Sequence, residues 1–429
     1  MLKQIHDSDT YLKKIHNLNQ KHQQNGILAT LSAMQTAILE KGDQAVLDYS
    51  QQFDGITPAS FSFFVTEKEL REAYDKTDAN FIKAIQKSIE NIRAFHEKQR
   101  PKDWTESRHK GSQYGMQYTP LDSAGLYVPG GRAPYFSTVM MNAIPATIAG
   151  VRTLTIATPP QQDGSIEPQI LVAADCCGIK NILKVGGAQA IFALAYSTPS
   201  IPKVDKIVGP GNIYVDTAKQ MVFGQVAIDK PAGPSDVLIY IDDAHYSTFA
   251  AAECLAQLEH DPNAIACVLA TNETIVQKTQ AAFLAQLTTL SRKKIIKESA
   301  KNSGIILSKN EESSLTLINK IAAEHVVLLS QSAETLRKKI HHAGAIFCGP
   351  YTPVTLGDYY AGPNHVLPTS GAARFSSPLS VMDFMKFSSH LTMSKDELKK
   401  ALPTLKILTE KENFDAHYNA AAIRFKNKD

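Results

Sequence analysis

Near residue 121 the chain changes from helical periodicity to short apolar runs separated by helical ones, and this alternation restricts its fold more than any other feature. GLYVP (125–129), TLTIAT (153–158), NILKV (181–185), DKIVG (205–209) and DVLIYI (236–241) read as strands, with helical runs such as PQILVAADCCG and AQAIFALAYST between them. Such a pattern calls for parallel βαβ units in a doubly wound sheet. The alternation resumes after 245 with AIACVLAT (264–271), SGIILS (303–308), HVVLLS (325–330) and AIFCG (345–349), so a second α/β sheet domain is expected.

The flanks differ. Residues 1–25 are polar and read as an N-terminal helical arm, and 26–100 carry helical periodicity with one strand candidate, FSFFV at 61–65. The expected organisation is 26–120 with 242–380 as a first α/β domain, 121–241 as a second, and 381–429 as a helical tail. Ser394 and Glu397 form a capping-box pattern ahead of DELKKALPTLKILTEKENFDAHYNAAAIRF, with a break near Pro403. No strand is left for this tail to cover, so it is expected to pack on a partner subunit.

Composition excludes several classes. The 43% hydrophobic and 20% charged residues are ordinary for a folded globular chain. A net charge of +3, with Lys and Arg scattered, leaves no footprint for nucleic acid. Neither a signal peptide nor a long apolar span is present, which excludes a membrane partner and makes the cytoplasm the expected location. Cys176, Cys177, Cys254, Cys267 and Cys348 are odd in number, form no CxxC pair and sit in apolar patterns, so buried thiols are expected rather than disulfides.

Chemistry could sit in two kinds of place. Glycine-rich turns at 129–131, 185–187, 209–212 and 231–235 follow strands, where ligands of open α/β sheets bind; tight αβ turns would look the same, and no GxGxxG is present. In STFAAAECLAQLEHD (247–261), Gln257 and His260 are three apart and share a helix face, while Glu259 is turned away. Glutamine is an uncommon zinc ligand, so on spacing alone His260 reads as a capping histidine. Glu324–His325 at a helix-to-strand junction suits acid/base work, or is a surface pair. Asp358 and His365 share a Gly/Pro-rich loop, and Glu412 and His417 lie five apart on the tail.

Taken together, GLYVPGG (125–131), KVGGAQAI (184–191), VGPGN (208–212), PAGPSDVL (231–238), QLEHDPNA (257–264), AEHVVLL (323–329), LGDYYAGPNHVLPTSGAARFSSPLSV (356–381) and EKENFDAH (410–417) resemble the histidinol dehydrogenase family. GDQAVLDYSQQFDG (42–55) and NIRAFHEKQ (91–99) extend the resemblance over nearly the whole chain. It implies two incomplete Rossmann-like domains in an intertwined homodimer. The implied activity is oxidation of L-histidinol to L-histidine through histidinaldehyde, using zinc and two NAD in succession, as the last step of histidine biosynthesis.

Residue by residue, the resemblance implies one zinc per subunit on Gln257, His260 and Asp358, with His417 from the other subunit. NAD would lie at Tyr127, Gln189 and Asn212 in the 121–241 domain. Substrate would meet Ser235, His325, His365 and Glu412 beside the zinc ligands. His325 would take the hydroxyl proton and Glu324 would activate water for the second oxidation.

Two positions depart from the family pattern: Ala323 stands where Pro is usual, and Val354 where Glu is usual. Val354 leaves open a second reading, a superfamily relative that doubly oxidises another small alcohol such as a sulfonated diol. A third reading, a zinc-stabilised dimer that binds nucleotide without catalysis, is opposed by the intact Glu324–His325 pair.

Overall fold

Apolar runs too short for helices fold into strands, and a computed structural model of the protein describes them over residues 2–6, 25–57, 61–109, 111–130, 133–230 and 233–426. Among the described residues the strands are β1 (Lys3–Ile5), β2 (Trp104–His109), β3 (Ser112–Pro120), β4 (Ser123–Tyr127), β5 (Thr153–Ala157), β6 (Asn181–Leu183), β7 (Lys206–Val208), β8 (Ala227–Ile228), β9 (Asp236–Ile241), β10 (Ile265–Ala270), β11 (Gly304–Leu307), β12 (His325–Leu329), β13 (Ala345–Cys348) and β14 (Met385–Thr392). Most of the N-terminal arm, 7–24, lies outside the described residues.

The chain divides into two compact units, Met1–Gln99 with Leu121–Phe384 and Arg100–Pro120 with Met385–Asp429. The first holds two parallel sheets. One has the order β1-β11-β10-β9-β12-β13 and the other β6-β5-β4-β7-β8. In the first sheet β9 and β10 are buried along their whole lengths, as strands covered on both faces must be. Val237, Ile239 and Ile241 enter one core while Leu238 and Tyr240 enter the other, the period-2 signature of a doubly wound sheet.

Several expectations are corrected. DVLIYI, grouped by sequence with the strands before it, is β9 at the centre of the six-stranded sheet, paired with β10 and β12. The helices of 25–99 cover the five-stranded sheet: Leu31, Met34, Ile38 and Val46 share a core with Ile191 and Val215. Sequence proximity had put them with the other sheet, but an apolar stripe states only that a helix needs a partner, not which one. FSFFV makes one isolated bridge, Phe64 to Leu183, and no strand. Lys3–Ile5, read as part of a helical arm, is an edge strand on β11.

The second unit is a three-stranded antiparallel sheet, β14-β3-β2, followed by helices Lys395–Lys411 and Asp415–Ala422. The sequence reading leaves the tail without a strand. β14 escapes it because seven of its eight residues are exposed, so no buried alternation marks it. Pro403 lies inside the first tail helix; the break comes at Glu412–Phe414, where Asn413 takes a φ of +59°. No described helix is long and apolar enough to cross a membrane, and none of the five cysteines forms a disulfide.

Candidate active site

Chain order in the five-stranded sheet runs from β4 outward to β5 and β6, then back across to β7 on the other side of β4. Open α/β sheets receive ligands at such a reversal, beyond the carboxyl ends of the strands, here β4 and β7. Three candidate residues stand there. Tyr127 ends β4, and its buried phenol oxygen accepts the Gly187 N–H at 3.1 Å. Gln189 is buried in the first turn of helix Gly187–Tyr196 and donates to Asp54 at 3.5 Å. Asn212 caps helix Ile213–Val222, its side-chain oxygen accepting the N–H groups of Tyr214 and Val215 at 3.0 and 3.1 Å.

A buried ion pair holds this edge. Lys219 pairs with Asp229, donates to the Gly209 carbonyl at 2.9 Å, and Asp229 accepts the Gly209 N–H at 2.9 Å. Both polar groups of one residue are therefore anchored. Gly209 has a φ of +113°, and a Cβ there would collide with the Tyr127 carbonyl oxygen, so only glycine fits. Of the other glycine-rich turns, Gly131, Pro231 and Ala232 lie outside the described residues.

A second set lies at the opposite, amino end of the six-stranded sheet. Helix Glu311–Ile321 closes with Ala322 at a φ of +54°, and the chain turns into β12. This puts Glu324 and His325 side by side and buried at the strand's start. His325 Nδ1 is 3.7 Å from Glu324 Oε2 and 3.2 Å from the Asp236 carbonyl oxygen. A carbonyl can only accept, so Nδ1 carries the proton and the neutral ring leaves Nε2 as its open base.

The environment biases the two groups differently. Burial pushes the Glu324 carboxyl well above the usual carboxylate range, helped by the neighbouring Asp236 and Asp358 charges against the Ser235 hydroxyl and the Asp236 N–H. Burial drives His325 down to about 4, with Asp358 and the Asp236 carbonyl opposing and His260 and His365 reinforcing. The imidazole is thus a free base at neutral pH, while burial favours the protonated form of the carboxyl.

Asp358, His260 and His365 lie near enough to act on this pair, and Gln257 is the other candidate of the first unit. Gln257 is buried in helix Ser247–Leu258, which ends three residues earlier than the sequence reading sets it. His260 falls just beyond the end, its N–H directed at the Gln257 carbonyl at 3.4 Å. Asp358 sits on the short helix Val354–Tyr359, 3.7 Å from His365 Nδ1. Burial works to raise the Asp358 carboxyl, but the His365 hydrogen bond and the imidazoles of His365, His325 and His260 outweigh it and keep it below the ordinary range. Asn364 donates to the Met141 carbonyl at 2.7 Å and so seats this segment on helix Phe136–Ala149, which follows β4.

Glu412 and His417 belong to the second unit. They lie on either side of the break at Asn413 and are both exposed, the His417 ring stacking on Phe414 with centroids 4.9 Å apart. Among the described residues no three His, Cys, Asp or Glu side chains stand together as a metal cage. The set implied by family resemblance takes only His260 and Asp358 of these types from the first unit, with the Gln257 amide as a third donor.

Sequence reasoning assigned nothing to Asp236 or Glu253. Both are buried carboxyls raised to about 7 chiefly by burial. A lone acid at the head of DVLIYI and another inside AAAECLA were the available signals.

Two parallel sheets, one with Tyr127, Gln189 and Asn212 beyond its strand ends and the other with a buried carboxyl–imidazole pair at its amino edge, form an α/β fold whose relatives are dehydrogenases. The sequence profile named histidinol dehydrogenase matches residues 17–425. The chain is 43% identical over 425 residues to the histidinol dehydrogenase of Halalkalibacterium halodurans, covering 99% of both chains. It is 45% identical to that of Bacillus subtilis over 385 residues, covering 89% of this chain and 90% of the relative. The crystal structure of histidinol dehydrogenase from Elizabethkingia anophelis superposes with a TM-score of 0.92 at 35% identity, covering 99% of this chain and 98% of that one. The chain belongs to the histidinol dehydrogenase family, and with it to the oxidoreductases of histidine biosynthesis.

Proposed function

We propose that the protein oxidises L-histidinol to L-histidine through histidinaldehyde with two NAD and zinc, as a cytoplasmic homodimer with shared active sites. The observation that carries this reading is the buried Glu324–His325 pair, a carboxyl 3.7 Å from an imidazole whose Nδ1 faces the Asp236 carbonyl and whose Nε2 is left as a base. NAD, bound at Tyr127, Gln189 and Asn212, supplies the hydride acceptor for both oxidations. Zinc, held by Gln257, His260 and Asp358 with His417 of the partner subunit, supplies orientation of the substrate nitrogens. Oxygen and nitrogen donors of this kind suit zinc, and the ionised state of Asp358 favours a cation beside it.

The protein's own groups then divide the proton work. His325 Nε2 takes the hydroxyl proton as the alcohol is oxidised, and burial keeps water from competing. Ser235, His365 and Glu412 hold the substrate so that the aldehyde stays in place. Glu324, once ionised, removes a proton from the water that adds to the aldehyde. The hydrate so formed can lose the second hydride.

Support for the dimer comes from the second unit. Its two helices have no buried residue, and Phe387, Leu391, Ile407, Leu408, Phe414 and Ile423 are exposed. Large apolar groups in this number need a covering surface.

Metal removal tests the reading. Protein treated with a chelator should lose NADH formation from L-histidinol and regain it with zinc. Turnover that persists without metal would contradict the proposal.

A further inference from the structure

Asp236 opens β9, a strand otherwise made of apolar side chains, and its own side chain is buried. Burying a carboxyl there is costly unless its hydrogen bonds are made. The carboxyl makes one, to the Glu324 backbone, and the residue's own peptide groups make two more, to the side chains of the catalytic pair. The Asp236 N–H donates to Glu324 Oε2 at 3.1 Å, Asp236 Oδ1 accepts the Glu324 N–H at 3.2 Å, and the Asp236 carbonyl accepts His325 Nδ1–H at 3.2 Å.

We propose that Asp236 is a positioning residue of the reaction, which locks Glu324 and His325 into one hydrogen-bonded unit and holds His325 in the tautomer with Nε2 open. This rests on the function proposed above. Register between the strands does not require the carboxyl: β9 and β12 are already paired from Val237↔His325 to Ile241↔Leu329. The carboxyl bond to the Glu324 N–H lies one residue before that ladder begins. It fixes the backbone from which the Glu324 side chain departs, and reciprocal bonds of this kind tie the carboxyl's direction to the imidazole's.

The carboxyl also sets the field at Glu324. The other groups acting on Glu324 are the Ser235 hydroxyl and the Asp358 carboxylate, while His260 and His365 act on the adjoining imidazole. Replacing Asp236 by an amide removes the nearest like charge and leaves an acceptor for the Glu324 N–H.

The test compares the parent protein, Asp236→Asn and Asp236→Ala in two assays, oxidation of L-histidinol and oxidation of added histidinaldehyde, each across pH. Asp236→Ala should lower kcat for the aldehyde about tenfold or more, with KM for L-histidinol within about twofold. Asp236→Asn should recover most of that kcat, and its alkaline-rising limb should move to lower pH by about one unit. A folded Asp236→Ala with parental kcat would overturn the proposal, as would an Asp236→Asn limb that superimposes on the parent's. Should Asp236→Ala not fold, the limb of the isosteric Asp236→Asn decides. Failure of the parent itself to oxidise L-histidinol would instead overturn the functional reading and the proposal with it, and is recognised because no change at 236 is involved.

Discussion

The Glu253 carboxylate accepts the Val354 peptide N–H at 3.2 Å, joining the helix that carries Gln257 to the first turn of the helix that carries Asp358. The buried Val354 side chain packs in the core of the six-stranded sheet. Because Asp358 lies one turn beyond Val354, this one bond bears on where its carboxylate is held.

Glu253→Ala leaves the Val354 N–H buried without a partner and should cost about 1–3 kcal/mol of stability, whereas Glu253→Gln keeps an acceptor and should cost less. Denaturant unfolding of the two variants and the parent measures both. Equal stability of the Ala variant and the parent would show that the bond ties nothing.

The roles proposed for Glu324 and His325 predict how the products divide with pH. His325, lowered to about 4, is already a free base above that value, so the alcohol-oxidising half should be insensitive to pH from about 6 upward. Glu324 is raised, so its base form grows only as pH climbs beyond the ordinary carboxylate range, and the aldehyde-oxidising half should climb with it. Histidinaldehyde trapped with hydroxylamine, relative to histidine formed, should therefore fall about tenfold between about pH 6 and about pH 9. A ratio constant over that range would remove Glu324 from the water-activating role.

Shared sites make a different prediction. Glu324→Gln and His417→Ala should each be nearly inactive alone. Refolded together at equal amounts they should recover about a quarter of the parental activity, since half the dimers are mixed and each has one intact site of two. No recovery, with mixed dimers verified by mass, would place His417 in its own subunit's site.

Much of the fold and of the site is legible in the amino-acid sequence. β9, β10 and β12 are runs buried on both faces, and such runs are visible as continuous apolar sequence. Strands without a buried face leave no such mark: β2 is exposed at all six positions, and β1 has only three residues. The Glu324–His325 pair is read directly, since both partners are adjacent in sequence. Asp236 is not, because its bonds to that pair cross between two strands 88 residues apart. Gln257 and His260 share a turn, but the helix ends between them, so their closeness rests on the cap and not on helical spacing. The tail misleads for a local reason: Pro403 is tolerated inside a helix, and the chain breaks instead where Asn413 adopts a left-handed backbone.

Double oxidation of one substrate at one site fixes the yield of reduced cofactor, so the decisive measurement is NADH formed per L-histidinol consumed. With purified protein, zinc and excess NAD, two NADH should form for each L-histidinol, with L-histidine as the product. One NADH with histidinaldehyde as the end product, or no NADH from L-histidinol while another small diol is oxidised, would contradict it.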